Sequence, residues 1–151
     1  MGDEIPELRT EFAFRIRLNF NQHVYYETTR GYRRSFTPVI SGTIDGPRLQ
    51  GRVIPCSGAD FAMSGKLDAH YMLEASDGTP IYVHNMGYTY PHHLDRERLG
   101  IGPEVPMYFR CTPQFDCRPG PHDWLTRTVI VGTAIKHDNP DHTMFYYYAV
   151  L

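Results

Sequence analysis

The chain has 151 residues and a formal net charge of −2, which suits a single domain spanning 1–151 and gives no general attraction to nucleic acid or to an anionic membrane. Eleven Tyr and eight Phe favour strands over helices, and no apolar run approaches the ~18 residues of a membrane-spanning helix. The three cysteines form no CxxC motif and the start, MGDEIPELRTEF, has no secretory pattern, so we expect a reducing, cytoplasmic environment.

Short alternating or apolar segments, separated by turn residues, follow one another along the chain. The first, EFAFRIRLNF at 11–20, has an apolar side chain at every second position, which predicts a half-buried strand. Further strands are predicted at 36–44, at 48–55, on both sides of the turn within 66–90, and at 107–116, 127–136 and 143–151. Only 91–102 has helical character, and it is short because glycines end it.

Evenly spaced short strands are typical of β-sandwiches and β-barrels. The last segment, TMFYYYAVL at 143–151, is so aromatic that an exposed edge there would favour aggregation. Because closure of a sheet removes its exposed edges, the sequence predicts an all-β fold, a single antiparallel β-barrel with an internal ligand cavity. Partial exposure of the same closing strand would also permit a homodimer.

The hairpin within 66–90 carries the most chemistry. Asp77-Gly78 suits a two-residue turn with positive φ, and such a turn fixes a register in which Tyr71 faces His84. Side chains then alternate onto two faces of the hairpin. One predicted face combines apolar side chains with a histidine and three phenols: Leu67, Ala69, Tyr71, Leu73, Tyr82, His84, Met86 and Tyr88. That composition predicts the wall of a ligand cavity.

His84, with the phenols of Tyr71, Tyr82 and Tyr88, is the leading catalytic hypothesis. An imidazole exchanges protons near neutral pH, and a phenol in a dry site can donate a hydrogen bond to a developing enolate. We expect His84 to be the general acid/base and Tyr82 and Tyr71 to bind or polarise an oxygen, while Asp60 assists from a strand end near the barrel mouth. The structural alternatives are an aromatic core with one hydrogen-bonded histidine, and a turn-stabilising carboxylate at Asp60.

The other face of the hairpin offers a second candidate site. Asp68 and His70 lie two residues apart on one strand face, and Asn85 is predicted to lie cross-strand from His70. The pair would act as acid and base if this face lined the cavity, in which case His84 would be exterior. Otherwise the face is solvated.

Two side chains outside the hairpin are candidates for substrate binding. Arg110, in YFRCT, is expected either to bind a carboxylate or phenolate or to form a surface ion pair. Trp124, in HDWLTR, is expected either to cover the pocket mouth or to pack in the core.

Metal and cofactor signatures are weak. His92 and His93 beside Asp95, and His122 beside Asp123, offer metal-ligating side chains, but adjacent histidines on regular structure usually point apart. The chain has no HExxH, Walker or dinucleotide motif. We therefore expect no metal and no cofactor, and a metal-dependent barrel enzyme is only a third interpretation.

Segments along nearly the whole chain carry a family resemblance: FAFRIRL, ISGTIDGPRLQGRVIP followed by SGADF, LDAHYMLEASDGTPIYV, YFRCTP and WLTRTVIVG. In their order and spacing the chain resembles the domain-of-unknown-function 3237 family, also called uncharacterised protein family 0311. The resemblance implies a compact, lipocalin-like β-barrel, and fungal members of the family point to natural-product pathways and to cyclase or pericyclase-like activity. This chain has Phe61 where Trp is usual, and His70 and Met86 where Arg is common, so its pocket is predicted to be less basic and richer in histidine.

Together these observations predict a cofactor-independent cyclase, lyase or isomerase that acts on a small, hydrophobic, oxygenated natural-product intermediate. The alternative is a barrel of the same shape that carries a hydrophobic small molecule without catalysis. Neither nucleic acid nor membrane is expected as a partner.

Overall fold

The structure is a computed structural model that describes residues 2–151, and strands account for most of them. The strands are β1 (Thr10–Asn19), β2 (Val24–Glu27), β3 (Arg33–Val39), β4 (Ser41–Asp45), β5 (Gly51–Val53), β6 (Gly58–Met63), β7 (Lys66–Ala75), β8 (Pro80–Tyr90), β9 (Tyr108–Cys117), β10 (Ile130–His137) and β11 (His142–Val150). A helix, α1 (His93–Leu99), follows β8, and a 3-10 helix spans Asp123–Thr126. Neither helix has the length and hydropathy needed to cross a membrane.

Eight strands close into an antiparallel barrel. Around the ring they run β7, β5, β4, β1, β11, β10, β9 and β8, and β8 pairs again with β7. β5 pairs with the end of β7 and β6 with its beginning, so β6, β3 and β2 continue the sheet from the first half of β7. The predicted antiparallel β-barrel is confirmed, whereas β2 and β6 were not predicted and the strand predicted at 36–44 is two strands separated at Ile40.

Inward-facing side chains from every strand of the ring form one core. Tyr71, Tyr147 and Phe14 are its largest fully buried members, and each contributes about 1.5–3 kcal/mol through burial. The rings of Phe14 and Tyr147 lie 5.3 Å apart. Asn85 is also buried and donates from Nδ2 to the Tyr147 hydroxyl over 3.1 Å. The core therefore includes a polar pair whose members must stay hydrogen-bonded to each other.

The register of the β7–β8 hairpin differs from the predicted one by one residue. Leu73 pairs with Ile81 and Tyr71 with Val83, instead of Leu73 with Tyr82 and Tyr71 with His84. Because successive side chains point to opposite faces, a slip of one residue moves every side chain of β8 to the other face. The predicted face assignment of β8 is wrong.

The geometry of the loop explains this slip. Ala75 accepts from the amide of Gly78 over 2.8 Å and donates to the carbonyl of Thr79 over 2.9 Å, so the loop has three residues. Gly78 has a φ of 88°, the left-handed conformation that three-residue hairpin loops require at this position. The observed register buries Ile81 and Val83, whereas the predicted one would expose both and bury a histidine instead.

The two ends of the barrel differ. At one end the 3-10 helix packs against the core, with the guanidinium of Arg48 3.7 Å from the centre of the Trp124 ring. At the other end α1 lies beside an opening. His92 caps α1 and Gly100, with a φ of 67°, ends it, which confirms the helical character predicted at 91–102. The open end contains the site described next.

Candidate functional site

A cavity of about 270 Å³ occupies the open end of the barrel. Its walls combine aromatic rings with a few ionisable groups, which is the composition expected of a small-molecule site. The side chains that matter most for its chemistry are Phe20, His23, Tyr25, Asp60, His92, Phe109, Lys136, Asp141 and Phe145.

Asp60 is the acid of this cavity. It lies within β6 opposite Ala69, an inward-facing residue of β7, and therefore points into the barrel. Burial raises the pKa of Asp60 to about 6, against the opposing effects of the Asp68 amide and the positive charge of Lys136. The amide of Asp68 donates to Asp60 Oδ1 over 3.1 Å. Because its pKa is close to neutral pH, this carboxyl group can both accept and return a proton.

The strand position of Asp60 corrects one prediction. Asp60 was expected at a strand end, but it lies inside β6, which begins at Gly58 and continues to Met63. Glycine is needed there because a Cβ atom at position 58 would lie 1.7 Å from the carbonyl oxygen of His70. The close approach of the two backbones holds β6 against β7 and so fixes the direction of the Asp60 side chain.

His23 ties the loop before β2 to the turn between β10 and β11. Its Nδ1 lies 2.8 Å from Thr37 Oγ1 and its Nε2 lies 2.5 Å from Asp141 Oδ2, and its ring stacks on Tyr25 with a centroid distance of 6.0 Å. Both nitrogens of the imidazole therefore have partners, which fixes its orientation on the cavity wall.

His92 contributes a neutral imidazole. Burial, followed by the charge of His93, lowers the pKa of His92 to about 4, so the ring carries no charge at neutral pH. Lys136 adds an exposed ammonium group at the cavity edge. The cavity thus combines an acid of raised pKa, a neutral hydrogen-bonding ring and a cation.

The predicted catalytic face of β8 lies outside this cavity. His84, Tyr82 and Tyr88 point to the outer surface of the barrel, where Tyr82 is 39 % and Tyr88 62 % exposed. Tyr71 does point inward, as predicted, but it is fully buried in the core and does not line the cavity. Burial raises the pKa of Tyr71 above its usual value, so its phenol stays protonated. The expectation that His84 faces an enclosed chamber with these phenols is wrong.

The structure instead places residues from the two predicted faces of the hairpin on the same outer surface. His84 pairs directly with His70 across the strands, and their rings stack with centroids 4.0 Å apart. Asp68 Oδ1 lies 2.7 Å from Nε2 of His84 and 3.4 Å from Nε2 of His70. The hydroxyl of Tyr82 lies 2.5 Å from Nδ1 of His70. Asn85, predicted opposite His70, points into the core.

Arg110 and Trp124 also lie away from the cavity. The guanidinium of Arg110 donates to the carbonyl of Phe109 and lies 5.1 Å from the ring centre of Tyr108 on the outer surface. Trp124 packs on Phe14 at the opposite end of the barrel, with ring centres 6.4 Å apart. Of its two predicted positions, core packing is the one observed.

Comparison with known proteins identifies the family. The family described as "Protein of unknown function (DUF3237)" matches residues 8–150. The chain belongs to this family. It is 32 % identical over 142 residues to the UPF0311 protein RPA1785 of Rhodopseudomonas palustris, with 87 % of this chain and 91 % of that protein covered. A UPF0311 protein of Bradyrhizobium diazoefficiens, blr7842, is 33 % identical over 141 residues, with the same shares of both chains covered.

Solved structures of similar proteins share the barrel. The crystal structure of RPA1785 superposes with a TM-score of 0.83 at 28 % identity, covering 97 % of this chain and all of that one. A β-barrel-like protein of Acinetobacter baumannii AYE also gives 0.83, at 27 % identity and with 98 % and 99 % of the two chains covered. An enzyme from Penicillium herquei gives 0.75 at 20 % identity over the full length of both chains, a likeness of fold.

Proposed function

We propose that this DUF3237 protein is an enzyme of the isomerase, lyase or cyclase class that transforms a small, largely hydrophobic, oxygenated metabolite inside the barrel cavity, using only its own side chains for proton transfer. The observation that carries the proposal is the enclosed carboxyl group of Asp60, whose pKa of about 6 suits both directions of proton transfer. The shared fold of an enzyme from Penicillium herquei is compatible with catalysis in such a barrel.

The mechanism begins with ionised Asp60. Its carboxylate takes a proton from a carbon atom next to a substrate carbonyl, and the electron pair of the broken C–H bond moves into the enolate. The ammonium of Lys136 favours the negative charge that develops on the enolate oxygen. Protonated Asp60 then returns the proton to another atom of the same molecule. Return to carbon gives an isomer, and return to a departing hydroxyl group gives an alkene and water.

The other cavity residues position the substrate. The rings of Phe20, Phe109 and Phe145 form apolar walls against which a flexible molecule would fold. The neutral imidazole of His92 can form a hydrogen bond with a substrate hydroxyl group. His23 is held by two hydrogen bonds, so in this proposal it shapes the wall of the cavity.

Hydrogen exchange provides the test. We would incubate the protein in D₂O with a panel of small cyclic ketones, including 2-tetralone, and follow deuterium incorporation next to the carbonyl by NMR. Asp60→Asn should slow the enzymatic exchange by about a hundredfold or more. Asp116→Asn, which changes an exposed carboxylate on the outer face of β9, should exchange like the unmodified protein.

Two results would contradict the proposal. One is an Asp60→Asn protein that is folded and exchanges as fast as the unmodified protein. The other is binding of the ketones in the cavity, detected by chemical-shift changes, without exchange above the buffer rate, which would favour the carrier function instead.

A further inference from the structure

The outer-face cluster of Asp68, His70 and His84 has the composition of a metal site. One ligand atom from each residue lies within 4.8 Å of the other two. Two imidazole nitrogens and a carboxylate oxygen are the ligands that Zn²⁺ takes in open sites, and tetrahedral Zn²⁺ places its donor atoms ~3.3 Å apart. Asp68 Oδ1 and His70 Nε2 are already 3.4 Å apart, and the 2.7 Å between Asp68 and His84 would need to open by about 0.6 Å.

The barrel wall presents these three residues with little freedom. Asp68 and His70 lie two apart on β7 and so share its outer face, and His84 is the cross-strand partner of His70 on β8. Around these residues β7 pairs with β6 and β8, and β8 pairs with β7 and β9. The sheet therefore fixes the backbone positions of the three ligands. Binding requires rotation of the side chains, because the stacked imidazole rings lie only 17° from parallel and must turn for both nitrogens to point at one ion.

Tyr82 supplies the outer hydrogen bond that metal-binding histidines usually make. With its proton on Nδ1, His70 donates to the Tyr82 hydroxyl over 2.5 Å and leaves the lone pair of Nε2 facing the cluster. Such a contact fixes both the tautomer and the orientation of a ligating imidazole.

The cluster is also open to solvent on one side. The side chains of Asp68, His70 and His84 are 52 %, 44 % and 26 % exposed, so an ion can reach them from solution. Three protein ligands leave a tetrahedral position for water or another small ligand.

We propose that Asp68, His70 and His84 bind a divalent transition cation, with Zn²⁺ as the best match, on the outer face of the barrel. The site is separate from the cavity and does not depend on the function proposed for Asp60. The expectation of no metal rested on the absence of a ligand motif in the sequence, and the predicted register placed His70 and His84 on opposite faces of the hairpin.

The test is metal binding by the tag-free full chain. Isothermal titration with ZnCl₂ should show one ion per chain. The variants His70→Ala, His84→Ala and Asp68→Asn should each bind Zn²⁺ at least about tenfold more weakly than the unmodified protein. Affinity should fall on acidification because the ligands bind metal in their deprotonated forms. The matched control is His122→Ala, which removes another His–carboxylate pair, His122 with Asp77 at 2.9 Å, and should leave the affinity unchanged.

Spectroscopy identifies the ligands independently of affinity. Co²⁺ bound to the unmodified protein should give the visible absorption of a tetrahedral site, and Zn²⁺ should displace it. Circular dichroism of each variant establishes that its barrel is folded. Failure of the unmodified protein to bind stoichiometric Zn²⁺, or binding of equal strength by the three ligand variants, would overturn the proposal.

Discussion

Replacing Asp60 with Asn should make the stability of the barrel less sensitive to pH. In the folded protein burial raises the pKa of Asp60 to about 6, whereas its ordinary value is 3.8. Between these values the folded state holds the proton and the unfolded chain has lost it. Stability therefore declines as pH rises from about 4 through about 6, and above that range the full cost of burying the charged carboxylate applies.

The magnitude follows from the size of the shift. At about 1.36 kcal/mol per pKa unit, the cost of the ionised group is about 3 kcal/mol at pH 8 and about 1.6 kcal/mol at pH 5. Asn does not titrate. The difference in unfolding free energy between the Asp60→Asn variant and the unmodified protein should therefore change by about 1.4 kcal/mol in favour of the variant from pH 5 to pH 8.

Urea denaturation followed by tryptophan fluorescence measures this difference, because the chain contains a single Trp. Other titrating groups, such as His92, affect both proteins and largely cancel. Asp116→Asn controls for the loss of an exposed carboxylate and should show a much smaller dependence. A difference that stays constant between pH 5 and pH 8, or moves in favour of the unmodified protein, would refute the view that Asp60 is held in a desolvating cavity.

Three further substitutions test the fold. Gly78→Ala should cost about 1–2 kcal/mol in urea denaturation, because the residue has a φ of 88°; an unchanged midpoint would contradict the three-residue loop. Tyr147→Phe should lower stability by about 1–3 kcal/mol, since it leaves the buried Asn85 amide without its acceptor, and a neutral result in thermal denaturation would show that this hydrogen bond is dispensable. Arg48→Ala should shift the fluorescence of Trp124 and cost about 0.5–1 kcal/mol, whereas an unaltered emission spectrum would place the guanidinium elsewhere.

Local patterns predicted the strands well because each strand of the ring buries one face. The alternation at 11–20 corresponds to β1, and the apolar run at 127–136 corresponds to β10 with a shift of a few residues. The hairpin register was missed because Asp77-Gly78 fits both a two-residue and a three-residue loop. The choice between them depends on which side chains of β8 the rest of the barrel buries.

The candidate site was harder to predict than the fold. Asp60 was identified from its own sequence context, and the structure does place it on the cavity. His23 and Asp141 are 118 residues apart, and no local pattern connects them. Asp68, His70 and His84 share one face of the hairpin only in the observed register. The predicted register placed His84 on the opposite face, so it did not show this cluster.

The amide of Asp68 donates its hydrogen bond to Asp60 inside the barrel, while the side chain of the same residue lies outside. One residue of β7 therefore contacts both the cavity acid, through its backbone, and the outer-face cluster, through its side chain. Burial sets the acidity of Asp60 and this amide moderates it, so a displacement of the strand at position 68 alters how readily the enclosed acid gives up its proton. A change of backbone conformation at residue 68 on the outer face therefore alters the acidity of Asp60 through the hydrogen bond that joins them.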